Sequence, residues 1–285
     1  MLALALELLA RVVSLLPLSG VRALGRGLGF VAWALGIRRG HVKDAMRRAG
    51  VAEPARAARH MYRGLGMGVF ELLWMRGRRG SIASLVHIDD ASRDALAAAR
   101  GQGRGIVLAA SHTGNWEIAA CRWAEDRELL VVTKRLSVKG FDRFCSALRS
   151  ARHVQTAQAG DAAWRARAIL RRGGAVAMML DQVPGSLDRA IEQEFLGATA
   201  HVDRSPAKVS AATGAPLVVA ASLRNADGTH SLRVLSVHAP PPPDAPSRAW
   251  VDRVTREATL ALDRFVRENP SEWLWLHRRW RAPAS

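Results

Sequence analysis

Four short apolar runs, separated by helix-patterned stretches, constrain the fold of this 285-residue chain more than any other feature. They are Ile106–Ala110 (IVLAA), Leu129–Thr133 (LLVVT), Ala175–Leu180 (AVAMML) and Pro216–Ser222 (PLVVAAS). Each is too short for a buried helix and lacks the polar alternation of a half-exposed strand, so each reads as a strand covered on both faces. Helical patterning fills 115–126, 140–150, 161–172, 204–213 and 247–268. Strands alternating with helices predict an α/β fold with a mostly parallel central sheet covered by helices. Leu232–His238 alternates more clearly and is expected at the sheet edge. The Pro240–Pro243 run suits neither a helix nor a central strand and is expected to be a surface connector.

The first 40 residues form a separate expectation. MLALALELLARVVSLL leads to Pro17, and a second apolar run extends from Val21 to Ile37. No basic region precedes the apolar part, which argues against a secretory signal. Glu7, Arg11, Arg22 and Arg26 interrupt the runs and Pro17 divides them, which argues against a simple span. We expect two apolar helices lying in or dipping into a bilayer interface, with arginines facing anionic headgroups. The domain reading is 1–40 as an N-terminal membrane-associating helical segment and 41–285 as the α/β domain.

The formal net charge is +17, and lysine occurs only at 43, 134, 139 and 208, so nearly all of the cationic charge is arginine. Such a balance favours an anionic partner without choosing among them. No zinc-finger, RNA-recognition or helix-turn-helix signature occurs, so nucleic acid is not the expected partner. Cys121 and Cys145 lack the spacing of a disulfide framework or a metal site, and both are expected as buried thiols.

The segment Ser111-His112-Thr113-Gly114-Asn115-Trp116-Glu117 follows a buried strand and opens a helix. Sites form at the carboxyl ends of strands in such sheets. His112 and Glu117, five residues apart, would not meet on one continuous helix, since they would lie about 140° apart. With His112 on the turn and Glu117 in the first helical turn they can converge. Glu117 would then hold one imidazole nitrogen and leave the other as a general base. The competing reading is local: Asn115 or Thr113 as N-cap, with Glu117 favourably placed near a helix N-terminus. Ser111 adjoins His112, but adjacent residues on a strand face opposite ways and Gly-x-Ser-x-Gly is absent, so a serine hydrolase is disfavoured.

HTGNWE, preceded by GQGRGIVLAAS, resembles the central motif of the bacterial lipid A biosynthesis (late or secondary) acyltransferase family, within the lysophospholipid and glycerol-phosphate acyltransferases. Other blocks resemble the family in order and spacing: KRLSVKGFDRFCSALRSARHV, AVAMMLDQVPG, Phe195-Leu196-Gly197, SEWLWLHRRWR and the N-terminal LLARVVSLLPLSGVRALGRGLG. The segment after Asp181 departs from the family by lacking a Gly-Val-Phe-like run.

The resemblance implies a glycerol-phosphate acyltransferase-like fold and transfer of a fatty acyl group from a thioester to a hydroxyl of a lipid A precursor or similar glycolipid. A glycerophospholipid or a phosphoinositol-mannoside-type acceptor is the alternative, and a basic membrane- or nucleic-acid-binding protein is the non-enzyme reading. It implies His112 as general base and Glu117 as its partner, with backbone N–H groups near Gly114 and an arginine as oxyanion donors. The donor would be acyl carrier protein or coenzyme A thioester, with no metal or other cofactor. The location would be the cytoplasmic face of a bacterial inner membrane. Asn115, Arg135, Arg149, Asp181 and Arg278 are the candidate substrate-binding residues, with Arg152 competing with Arg149. Asp181 ends an apolar strand, where a carboxylate is costly unless paired or near solvent, and is expected to have a role in the site, with an arginine as one candidate partner. Trp273, Trp275 and Trp280 are expected in the core or at an interface.

Overall fold

The computed structural model describes residues 1–135, 137–158, 160–242 and 247–281. Four helices come first: α1 (Leu2–Val13), α2 (Leu18–Ala34), α3 (Arg39–Arg48) and α4 (Pro54–Gly77). The body then runs β1 (Val86–Ile88), α5 (Asp90–Arg100), β2 (Ile106–Ala110), α6 (Trp116–Asp126), β3 (Leu129–Val132), α7 (Lys139–Ala151), β4 (Val154–Ala157), α8 (Ala162–Arg171) and β5 (Ala175–Met179). A hairpin of β6 (Ala190–Phe195) and β7 (Ala198–Asp203) follows, then α9 (Ser205–Thr213), β8 (Leu217–Arg224), β9 (His230–His238) and α10 (Ser247–Glu268).

The main sheet has the order β1-β9-β8-β2-β5-β3-β4, and only the β8–β9 pair is antiparallel. All four apolar runs form strands, and helices α6 to α10 fill the five stretches patterned for them. β2 lies in the middle, with Ile106, Val107, Leu108 and Ala109 all buried. Burial on both faces is why its sequence has no polar alternation.

Two differences from the sequence reading have physical causes. β9 is not the edge, because the three-residue β1 pairs with it in parallel and covers it. The β6–β7 hairpin was not anticipated, because AIEQEF and ATAHVD carry no apolar run. It closes on Leu196 and Gly197, both at positive φ (53° and 79°), the backbone that a tight two-residue hairpin turn requires. Of the Pro240–Pro243 run, residues 240–242 carry no regular structure and Pro243 lies outside the described residues.

The N-terminal helices pack along α4. A Cβ on Gly29 would overlap the backbone oxygen of Tyr62, and one on Gly66 would overlap that of Gly25. Side-chain-free positions therefore let α2 and α4 approach backbone to backbone. The outer faces of α1 and α2 leave large apolar side chains exposed, among them Leu4, Leu8, Val12, Leu24, Leu28 and Val31. Among the described residues, no helix is long and apolar enough to cross a membrane.

Candidate active site

β2 ends at Ala110, and the chain turns through Ser111–Gly114 into α6. Gly114 sits at φ +54°, and a Cβ there would lie 2.7 Å from the backbone oxygen of Ser222, so this turn needs glycine. Asn115 is the N-cap of α6, its Oδ1 accepting from the Ile118 N–H at 3.3 Å. Thr113 is fully buried; its Oγ1 pairs with Ser111 Oγ at 3.0 Å and accepts from the Ser222 N–H at 3.1 Å.

The C-terminal segment is stapled across this turn. The Gly114 N–H donates to the Glu272 carbonyl at 2.8 Å, and the Leu274 N–H donates to the His112 carbonyl at 3.0 Å. Of the backbone N–H groups near Gly114 expected as oxyanion donors, that of Gly114 itself is therefore already committed.

Asp181, not Glu117, holds the His112 ring. His112 Nδ1 lies 2.9 Å from Asp181 Oδ1, and the His112 N–H donates to Oδ2 at 2.8 Å. Sheet register explains the meeting. Neighbouring strands β2 and β5 pair Ala110 with Met179, and two residues further along each chain come His112 and Asp181. The Trp273 indole N–H also donates to Asp181 Oδ2, at 2.8 Å. Burial alone would raise the Asp181 carboxyl, but the charge and the two hydrogen bonds of His112, with His277 nearby, hold it well below the usual carboxylate range. The partner of Asp181 is thus His112 rather than the arginine offered as a candidate.

With Nδ1 donating to Asp181, His112 Nε2 carries the lone pair. The Gln182 side-chain nitrogen approaches it at 3.4 Å. The rings of Trp116 and His277 pack edge-on at centroid distances of 4.9 and 4.7 Å. His277 is pushed down to about 4, by burial first and by His112 second, so it is neutral at pH 7.

Glu117 pairs with Arg149 instead. Arg149 Nε donates to Glu117 Oε2 at 2.9 Å, and Arg149 Nη2 bonds the other carboxylate oxygen. Glu117 starts α6 and Arg149 ends α7, so the pair ties two helices together. Arg152 instead donates to the carbonyls of Met75, Arg78 and Gly80, closing the C-terminal end of α4. Burial pushes the thiols of Cys121 and Cys145 up to about 12 and about 11, so neither is a nucleophile at neutral pH.

The remaining candidates separate. Asn115 turns its Nδ2 to Glu71 at 3.0 Å. Arg135 is exposed and donates to Gln158 Oε1 at 3.3 Å. Arg278 is exposed and lines a cleft of about 430 Å³ that Asp181, Gln182 and His277 also line. His112 itself lines a second, narrow crevice with Met61, Leu65, Trp116 and Leu274. Trp273 and Trp275 are fully buried in the core, with Trp280 packed against them.

Glu71 was not anticipated from the sequence, because its partners lie far apart along the chain. It is 1% exposed and meets Arg22 Nε at 2.8 Å, Arg224 at 2.6 and 2.7 Å, and His230 Nε2 at 3.3 Å, besides Asn115. This buried node connects α2, α4, β8 and β9 to the N-cap beside His112. Burial would raise its carboxyl, but Arg224 and His230 hold it far below the ordinary range. Among the described residues, no three His, Cys, Asp or Glu side chains are grouped as metal ligands would be.

A family model described as bacterial lipid A biosynthesis acyltransferase matches residues 4–282, nearly the whole chain. No curated protein matches it.

Proposed function

We infer the reaction from the family this chain belongs to, the bacterial lipid A biosynthesis acyltransferases, together with the geometry around His112. The chain is an acyltransferase of lipid A biosynthesis by family. The reading proposed is O-acyl transfer from a thioester, carried by acyl carrier protein or coenzyme A, to a hydroxyl of a lipid A precursor. One observation carries the mechanism: Asp181 holds His112 through Nδ1 at the carboxyl ends of two central strands, which leaves Nε2 free to act.

In this reading His112 Nε2 takes the proton from the acceptor hydroxyl as its oxygen attacks the thioester carbonyl carbon. The new C–O bond forms, negative charge moves onto the carbonyl oxygen, and Asp181 stabilises the imidazolium. Collapse breaks the C–S bond, and the departing thiolate takes the proton from His112. Because the Gly114 N–H is committed to Glu272, the Gln182 amide is the better placed side-chain donor for a reacting oxygen. Glu117 and Arg149 set the position of α6 behind the turn.

The exposed apolar faces of α1 and α2 favour a protein that rests on the cytoplasmic surface of the inner membrane, where a lipid acceptor and a water-soluble thioester meet. The basic chain suits acidic carriers and anionic headgroups. The test is direct. Purified protein with radiolabelled acyl carrier protein thioester and a lipid A precursor is expected to yield acylated lipid, and His112→Ala is expected to abolish it. Undiminished turnover in His112→Ala sinks the mechanism.

A further inference from the structure

A closed circuit of hydrogen-bonded links runs from the buried Glu71 node to the turn that carries His112. Glu71 on α4 receives Arg224 on β8 through both carboxylate oxygens, at 2.6 and 2.7 Å. The backbone N–H of Arg224 donates to Glu272 Oε2 at 3.0 Å, and the Glu272 carbonyl accepts from the Gly114 N–H at 2.8 Å. Asn115, the next residue, returns to Glu71 through its Nδ2 at 3.0 Å. The circuit therefore joins α4, β8, the C-terminal segment and the start of α6, and it closes on the far end of the His112 turn. Asp181 holds the near end of that turn from the β5 side.

The make-up of this circuit argues for positioning rather than for stability alone. Buried charge clusters often gain no stability over well-packed apolar side chains, whereas a hydrogen-bonded network fixes one arrangement. The two-pronged grip of Arg224 on Glu71 adds direction to that arrangement. His112, Gly114, Arg224 and Glu272 also line one narrow crevice, to which α4 adds Met61 and Leu65. Members of the circuit thus form the wall of the space that opens on the histidine. Arg22 and His230 touch Glu71 at 2.8 and 3.3 Å from outside the circuit. They share its burial but none of its links to the turn.

We propose that Glu71 is a positioning residue for the reaction: by closing this circuit it fixes the Gly114–Asn115 end of the turn and so aims His112 Nε2. The proposal rests on the acyl-transfer reading for the role of His112. Glu71 is 1% exposed, so it acts not on a substrate but through Asn115 and, by way of Arg224 and Glu272, through Gly114.

The experiment uses the full chain, with an acyl carrier protein thioester and a lipid A precursor as substrates. Values of kcat and KM are taken per mole of folded protein, and amide hydrogen exchange is followed across residues 111–118. Asn115→Ser keeps an N-cap for α6, but its shorter side chain does not reach Glu71, so the circuit opens while the helix start is preserved. Glu71→Gln opens the same circuit by replacing the carboxylate that Arg224 grips. Arg22→Gln removes a partner of Glu71 outside the circuit and serves as the control. Asn115→Ser and Glu71→Gln are each expected to lower kcat roughly ten- to a hundredfold, the scale of a misaimed catalytic group, with KM within about twofold. Exchange at 111–118 is expected to quicken in both, and the combined variant to lower kcat no further than the worse single one. Arg22→Gln is expected to lower the unfolding temperature and leave kcat within about twofold of wild type. Where Glu71→Gln does not fold, Asn115→Ser carries the test, because the node then keeps all its charges. Wild-type kcat in folded Asn115→Ser, with or without a raised KM, overturns the proposal. Equal kcat losses in Asn115→Ser and Arg22→Gln overturn it too, since kcat would then follow the stability of the node. A wild-type chain that transfers no acyl group removes the acyl-transfer reading, and exchange then tests the circuit by itself: quickening in Asn115→Ser supports it and unchanged exchange overturns it.

Discussion

Asp181 grips His112 twice, accepting from the backbone N–H at 2.8 Å while pairing with the ring Nδ1 at 2.9 Å. One carboxylate thereby sets both where the residue sits and which ring nitrogen is left for the base role proposed above. Asp181→Asn keeps the shape but gives the ring an amide that can present N–H to Nδ1. An orienting carboxylate in a His-based constellation is worth up to about 10⁴ in kcat. Asp181→Asn is expected to lower kcat by about 10²–10⁴, and the double variant with His112→Ala to be no worse than His112→Ala alone. A kcat within twofold of wild type would show that Asp181 does not orient the base.

The Glu117–Arg149 pair invites a double-mutant cycle, since the two side chains are only 10% and 17% exposed. Arg149→Met leaves a buried carboxylate without its counter-charge, an effect on the order of 3 kcal/mol. Removing both charges in Glu117→Gln/Arg149→Met is expected to restore most of that stability, as followed by urea unfolding. Simple additivity of the two single losses would mean that the pair is not coupled.

His277 makes stability depend on pH. Its folded value of about 4 lies below the ordinary 6.5, so between these values the unfolded chain binds more protons. Its contribution is complete above about pH 6.5 and declines as pH falls towards 4, by up to about 3 kcal/mol at one pH unit per 1.36 kcal/mol. His230, also lowered by burial, adds to the same slope. Thermal unfolding is expected at lower temperature at pH 5 than at pH 7, with a smaller difference in His277→Gln. A variant that keeps the whole wild-type slope would exclude His277 as its source.

Gly29→Ala sets two effects against each other. Alanine favours a helix over glycine by about 1 kcal/mol, yet here its Cβ would overlap the Tyr62 carbonyl oxygen. Backbone atoms cannot rotate aside, so overpacking at about 1–3 kcal/mol or more is expected to prevail. The variant should unfold at a lower temperature and expose the loop before α2 to protease sooner. Gly27→Ala on the same helix, where a Cβ meets nothing within 4 Å, serves as the control and should not destabilise.

Leu8 and Leu28 are 52% and 50% exposed on α1 and α2. Leu8→Asp/Leu28→Asp removes apolar area from the proposed membrane face without disturbing the core. Binding to anionic vesicles, measured by co-sedimentation, is expected to fall about tenfold or more, because each site loses an apolar contact and gains a charge that the headgroups repel. Unchanged co-sedimentation would place the membrane contact elsewhere.

Much of the fold was legible because its signals are local. The runs at 106–110, 129–133 and 175–180 show burial on both faces directly, and Asn115 shows a cap by its place before an apolar helix. β4 and the β6–β7 hairpin were not legible, since their residues are polar and their pairing partners supply the order. Arg149 and Arg152 were indistinguishable in sequence, three residues apart at the end of one helical stretch. In the structure Arg149 hydrogen-bonds the Glu117 carboxylate, whereas Arg152 hydrogen-bonds three carbonyls and lies 3.9 Å from Glu125.

The sequence by itself determined the α/β class and the placing of His112 at the carboxyl end of a buried strand, because apolar patterning and turn residues act over a few positions. Only the tertiary structure decided what that histidine meets. Strand order is non-local: β2 lies between β5 and β8 rather than beside β3, its successor along the chain. Parallel register between β2 and β5 then brings Asp181 to the ring, and the turn into α6 leaves Glu117 to Arg149. Proximity in sequence suggested the wrong carboxylate because a sheet joins residues by strand neighbourhood.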